Sequence, residues 1–180
     1  MVKHDDGKWL PLVATLGLAH WFFGNLYEAV VFSPNWVVDS AEQLRRLHEF
    51  FVRTSPTHYF VPLTWAAIVL VWVLAARNRD RELAGDYRRA SVFAGLAMGL
   101  NLVIVATVIT RIFGADYLAH GDDLRGYCWR WNVLNALRMA LVATTAASMS
   151  FQFVTESSEG RTRILGSAPG MISARDRKST

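Results

Sequence analysis

Apolar residues fall in four long runs, about 9–33, 58–76, 90–113 and 131–154, with most charged residues between them. Each run reaches or approaches the ~20 residues that a helix needs to cross a ~30 Å hydrocarbon core. The pattern predicts an all-α fold, an integral membrane four-helix bundle over residues 1–154. Residues 155–180 are rich in Ser, Gly, Arg and Lys and show no apolar period. They read as a disordered cytoplasmic tail. The first run is too long and too polar for the core of a signal peptide, and no small-residue cleavage site follows it.

The punctuation between the runs refines this picture. Ser33-Pro34 predicts the end of the first helix, because the residue before a proline disfavours helix. The stretch SAEQLRRLHEFFVR (40–53) places Leu44, Leu47, Phe50 and Phe51 on one helical face, and Ser40 with Gln43 matches a capping box. It reads as a short amphipathic helix between the first and second spans, either lying in the membrane interface or packed on the bundle. Pro56 and Pro62 mark the start of the second span. Gly95-x-x-x-Gly99, and the small residues Ala140, Thr144 and Ser148, have spacings that permit close helix contact. Trp9, Trp36, Trp72 and Trp129 fall near helix ends, as in an interfacial aromatic belt.

Charge orients the chain. Lys3 and Lys8, the cluster Arg77, Arg79, Arg81, Arg88 and Arg89, and the basic tail from Arg161 all fall on one side of a four-pass topology. The other side carries only Arg45, Arg46, Arg53, Arg125 and Arg130. The positive-inside rule then places both termini in the cytoplasm, and the plasma membrane of a bacterium is the expected location. The basic link follows from topology and implies no nucleic-acid partner. Cys128 is the only cysteine, so an intramolecular disulfide and a two-cysteine redox relay are both excluded.

The chemistry lies in polar residues within the apolar runs, which are costly in a membrane and usually face the bundle interior. They are His20, Asn25 and Glu28 in the first run, Asn101 and Arg111 in the third, and Asn132, Asn135 and Arg138 in the fourth. At about 100° per residue, Trp21, Asn25 and Glu28 share a stripe about 60° wide. Trp131, Asn135 and Arg138 repeat it with the charge reversed. At ~1.5 Å per residue, Glu28 and Asn132 lie ~6 Å from the outer end and Asn25 and Asn135 ~10 Å. On the same rise, Arg138, His20 and Asn101 lie at ~15–18 Å. These layers predict one polar cavity in the outer half, walled by Trp21, Tyr27, Trp65 and Trp131 and completed by Thr64, Tyr59 and His58. Each element also has a plain structural reading. Glu28 and Arg138 form either a structural ion pair or a couple acting on a ligand. Asn25 and Asn135 are either interhelical hydrogen-bonding glue or part of a site. His20 is a core histidine or an acid–base group, while His48, His58 and His120 read as surface or interface groups. No metal-ligand spacing, bis-histidine haem pattern, flavin or nicotinamide motif is present, so no cofactor is expected.

The segments GNLYEAVVFSPN, VITRIFGAD and WRWNVLNALRMAL resemble those of the four-helix membrane family of unknown function that includes the anthrone oxygenases. The matching positions are Gly24, Leu26, Tyr27, Val31 and Pro34 in the first helix, and Trp131, Asn135 and Arg138 in the fourth. The chain departs from the family in lacking a Pro-x-Asn-like segment after the third helix, where it has Arg111 to Asp116. The resemblance implies a cofactor-free oxidation by O₂ of a phenolic or polycyclic natural product. Glu28 or His20 would remove a proton, Arg138, Asn25 and Asn135 would stabilise the oxyanion, and Asn101, Asn132 and the aromatic walls would hold the substrate. Two other readings stay open. One is a membrane terpene cyclase in which Glu28 protonates an alkene or epoxide and the aromatic rings stabilise a carbocation. The other is a non-catalytic membrane binding or assembly protein.

Overall fold

The computed structural model of the chain describes residues 9–79 and 84–166. Among them every regular element is helical. The first run forms α1 (Leu10–Tyr27), a π-helical turn (Glu28–Phe32) and α2 (Ser33–Val38); then come α3 (Ser40–Phe50) and α4 (Pro56–Arg77). The third run forms α5 (Ala84–Ile104), a second π turn (Val105–Ile109) and α6 (Thr110–Ile112). A 3₁₀ turn (Tyr117–Asp123) leads into α7 (Leu124–Gly166). Among the described residues three stretches are long and apolar enough to cross a membrane: His58–Arg77, Ala84–Ile112 and Leu124–Phe151. The first run is not among them. Its regular part, α1, has 18 residues, and His20 and Asn25 dilute its apolar character.

Helix α1 packs against α7 and α4, and α5 against the same two. Two apolar clusters result. One joins Ala14, Leu18 and Trp21 of α1 to Ile68 and Val71 of α4, Ala94 and Met98 of α5, and Val142 and Met149 of α7. The other joins Trp36 and Leu44 to Ile104, Val108, Ile112, Tyr117, Leu124, Cys128 and Trp131. Large side chains outside these clusters, such as Val13, Phe23, Val69, Leu96, Val103 and Val133, face outward. That is how a helix meets lipid rather than water.

The first helix does not stop at Ser33-Pro34. It runs on to Val38 because the π turn widens the coil just before the proline, with the Ser33 N–H donating to the Glu28 carbonyl five residues back. Proline lacks an N–H and its ring clashes with the carbonyl four residues earlier. A shift to longer-range bonding at that turn accommodates both effects. Trp36 is consequently carried into the core at 4% exposure instead of standing in an interfacial belt. The Ser40–Gln43 capping box does not form. The helix begins one residue earlier in hydrogen bonding, with the Gln43 N–H donating to the Asp39 carbonyl, and Ser40 is buried inside it. Leu44 is fully buried, so α3 packs on the other helices, with Phe50 turned outward. The capping box that does form is Ser55 with His58, at the start of α4. Helix α7 continues to Gly166, and 167–180 lie outside the described residues.

Close helix approach occurs at glycines other than those of the Gly-x-x-x-Gly motif. A Cβ at Gly17 would stand 2.7 Å from the Ala67 Cβ, and one at Gly24 would overlap the Phe60 ring. Nothing stands within 4 Å of a Cβ built at Gly95 or Gly99. Gly17→Ala is therefore expected to destabilise the fold by about 1–3 kcal/mol through overpacking against a short side chain. Gly95→Ala is expected to stay within about 0.5 kcal/mol of the native protein, as an uncrowded substitution. Denaturation in detergent micelles compares the two.

On the outer face of α3, Arg45 bonds Glu42 at 2.9 Å and also pairs with Glu49, while Arg46 bonds Glu42 at 2.8 Å. The two guanidiniums hold the Glu42 carboxyl down to about 2. A folded value below the unfolded one gives a contribution that is full at neutral pH and is lost as pH falls from the usual carboxylate range toward 2. Replacing Glu42 with Gln is expected to lower stability slightly at pH 7, slightly because the pairs are exposed, to leave it unchanged near pH 2, and so to flatten the stability–pH curve in that window.

Candidate functional site

Between the two apolar clusters lies one polar layer. Along the first run it falls between Trp21 of α1 and Trp36 of α2, on α5 between Met98 and Ile104, and on α7 between Trp131 and Val142. At its centre Arg138, 6% exposed, donates from Nη1 to Asn101 Oδ1 at 2.5 Å and from Nη2 to Asn135 Oδ1 at 2.6 Å. Nη2 also donates to Asn25 Oδ1. The amide nitrogens are used in turn. Asn25 Nδ2 donates to the Trp21 carbonyl at 2.8 Å, and Asn135 Nδ2 to the Asn25 carbonyl at 3.2 Å. Three helices are thus tied through one guanidinium, whose planar fork presents donors to several acceptors at once. Arg138 Nε is buried without a partner.

The acceptors around Arg138 are neutral amides, not carboxylates. The Glu28 side chain makes no ion pair within 4.0 Å and no hydrogen bond with another described residue. It stands within electrostatic reach of the guanidinium but outside its hydrogen-bonded cage. Its side chain instead lines a cavity of about 280 Å³. Phe32, Trp36, Phe51, Phe113 and Trp131 supply its aromatic wall, with His48 and Ser55 as further polar members. The wall is built from edge-on ring contacts, Trp36 to Trp131 at 5.0 Å and Trp36 to Phe113 at 5.9 Å. Both π turns contribute to it, the first through Glu28 and Phe32 and the second through Ile109.

The residues singled out from the sequence therefore separate into groups. Asn25, Asn101, Asn135 and Arg138 meet in the cage. Glu28 and Trp131 line the cavity. Asn132 Oδ1 accepts from Ser33 Oγ at 2.5 Å, joining the extended first helix to α7. Trp21 is buried in the apolar cluster beneath the cage. His20 packs against α4, with its ring 5.2 Å from Tyr59 and 5.0 Å from Phe60, and its Nε2 is buried without a partner. Tyr27 and Trp65 turn outward at 54% and 43% exposure. Thr64 is buried, Tyr59 and His58 are exposed, and Arg111 hydrogen-bonds His120 at 3.2 Å.

Phe32, Trp36, His48, Phe51 and Phe113 were not picked out from the sequence as wall residues. His48 had a readable signal. It lies one turn after Leu44, on the apolar face of α3, and only the packing of α3 turns that face toward the other helices. The wall at Phe32 and Trp36 had none, because it depends on the helix continuing through Pro34. Among the described residues no three His, Cys, Asp or Glu side chains gather to hold a metal ion.

Chemically, the arrangement offers an unpaired carboxylate in an aromatic chamber beside a fixed positive charge. The cage itself is testable. Asn25→Ala or Asn101→Ala is expected to cost about 1–3 kcal/mol by leaving buried donors unmet. The double variant is expected to cost less than the sum by at least about 0.5 kcal/mol, because both act through Arg138. A double-mutant cycle in detergent measures the coupling. Comparison with known proteins adds no further constraint: no family model, no curated protein and no solved structure matches the chain.

Proposed function

We propose that the protein is a four-span integral membrane enzyme that acts on a lipophilic small molecule in the aromatic cavity, with Glu28 as the group that takes a proton from it. In this reading the first helical run is the fourth span, α3 lies at the outer surface, both termini are cytoplasmic, and the membrane is a bacterial plasma membrane. The basic residues Arg77, Arg79, Arg88 and Arg89, at the end of the molecule away from α3, support that orientation.

One observation carries the proposal. The Glu28 side chain has no hydrogen-bond or ion-pair partner among the described residues although a buried cation stands nearby, and the bonds that cation makes through Nη1 and Nη2 go to three amides. A structural ion pair would close the distance. A carboxylate left open to a ring-lined chamber is instead available to a ligand, and unpaired ionisable groups in membrane spans are functional candidates. At about 280 Å³ the chamber is near the lower end of the ~300–1,000 Å³ range of small-molecule sites. That suits a compact, flat molecule stacked among Trp36, Phe113 and Trp131. The favoured reaction is a cofactor-free oxidation of a phenolic polycycle. Glu28 removes a proton from an acidic ring C–H, and the fixed charge of Arg138 favours the enolate that forms. O₂ accepts the electrons, and a ring methylene becomes a carbonyl with release of water.

The test uses the full chain in lipid nanodiscs with dithranol, a hydroxylated anthrone, as the probe. Native protein is expected to form the quinone with one O₂ consumed per quinone, above the rate with empty nanodiscs. Glu28→Gln is expected to lose about 10²-fold or more in kcat while dithranol still quenches tryptophan fluorescence. No turnover by the native protein, or full turnover by Glu28→Gln, overturns the proposal. Conversion of an isoprenoid epoxide without O₂ uptake would replace it with a cyclase.

A further inference from the structure

We propose that His48 is a second catalytic residue of this cavity, delivering a proton to the substrate oxygen that leaves as water. The inference rests on the reading of the cavity given above and assigns a role to a residue outside the polar stripes of the first and fourth runs.

Three features point to it. The first is position. Leu44 is fully buried, and His48 follows it by one helical turn, so the packing of α3 presents the imidazole to the cavity that Glu28 lines from another element. The second is orientation. The ring lies nearly flat on Tyr117, with centroids 4.2 Å apart and planes at 13°, and nearly parallel to Phe113 at 5.8 Å and 23°. The third is the tautomer. His48 Nε2 stands 3.4 Å from the carbonyl oxygen of Ile112, where α6 ends. Helix-end carbonyls lack an intrahelical donor, and a carbonyl oxygen only accepts, so the proton of the neutral ring sits on Nε2. That leaves Nδ1 to gain and give a proton, and no described residue bonds it.

The surroundings suit such a role. Glu28 is the acidic group that shares the cavity from the first run, and Tyr117 is the titratable group under the ring. On α3 itself, Glu42 and Glu49 are engaged by Arg45 and Arg46 on the outer face.

The step balances as follows. A substrate C–H bond breaks and its proton goes to Glu28. The resulting carbanion passes its electrons to O₂ and forms a C–O bond. The peroxide anion takes the proton back from Glu28 to give a hydroperoxide. In the second half, Glu28 removes the remaining proton from the same carbon, the C=O bond forms and the O–O bond breaks. The imidazolium of His48 gives its Nδ1 proton to the departing oxygen, which leaves as water. Transfer of the proton from Glu28 to His48 restores both groups.

The experiment compares native protein, His48→Gln and His48→Phe in nanodiscs with dithranol, recording quinone, O₂ and hydroperoxide over pH 5 to 8. His48→Gln is expected to lose at least about tenfold in kcat, with KM within about threefold. Hydroperoxide is expected to accumulate, so that quinone formed falls below O₂ consumed. The native pH dependence in that range is expected to flatten. His48→Phe preserves stacking on Tyr117 and is expected to show the same loss with an unchanged melting temperature. Native-like turnover and pH profile in both variants overturn the inference alone. So does a loss that tracks melting temperature without hydroperoxide. If the native protein forms no quinone, the proposed function fails and this inference falls with it.

Discussion

The guanidinium of Arg138 is the constraint on which the rest of the arrangement depends. A cation buried between apolar clusters must have its donors met, and three of the guanidinium's five N–H groups go to amides drawn from α1, α5 and α7. Asn25 and Asn135 in turn each hand an amide N–H to a backbone carbonyl, while Arg138 Nε is left without a partner. Its register on each helix then fixes which residues lie above and below. Trp21, Met98 and Val142 fall on one side, and Trp36, Ile104 and Trp131 on the other.

Satisfying the cation with neutral oxygens has a consequence for Glu28. Had a carboxylate been the acceptor, Glu28 would be spent in a structural pair. With Asn25, Asn101 and Asn135 as acceptors, the carboxylate remains one layer away and faces the aromatic chamber. The π turn at Glu28–Phe32 contributes to this placement. It changes the helical phase after Tyr27, which turns outward, and carries Phe32 and Trp36 to the cavity wall. A second π turn near the end of the third run brings Ile109 to the same wall. Departures from the regular helix thus occur where the helices stop packing on each other and begin to enclose space.

Much of the helical content was legible from the runs themselves, since a long apolar stretch in a membrane must bond its own backbone. The meeting of Asn25, Asn135 and Arg138 was legible as well, from two stripes with equal spacing and matching depth. The Gly95–Gly99 motif misled because spacing alone says that a helix can be approached closely, not which neighbour approaches. Gly17 and Gly24 carry no motif, yet they stand where Ala67 and Phe60 come near. His20 shared the depth of Arg138 but not its direction, and it packs on Tyr59 and Phe60 instead.

The sequence by itself determined the helical class, the placement of charge between apolar runs, and the set of polar residues that must find partners out of water. These follow from the cost of unsatisfied backbone and of buried charge, which depends on residue type and local period. Only the tertiary structure decided which polar groups pair, that the first helix passes through Pro34, and that α3 turns His48 inward. Those outcomes depend on helix rotation and on contacts between segments distant in the chain, such as Asn25 with Arg138 and His48 with Ile112. A one-dimensional pattern carries no information about rotation beyond the apolar face, and helices that are apolar all round leave that face undefined.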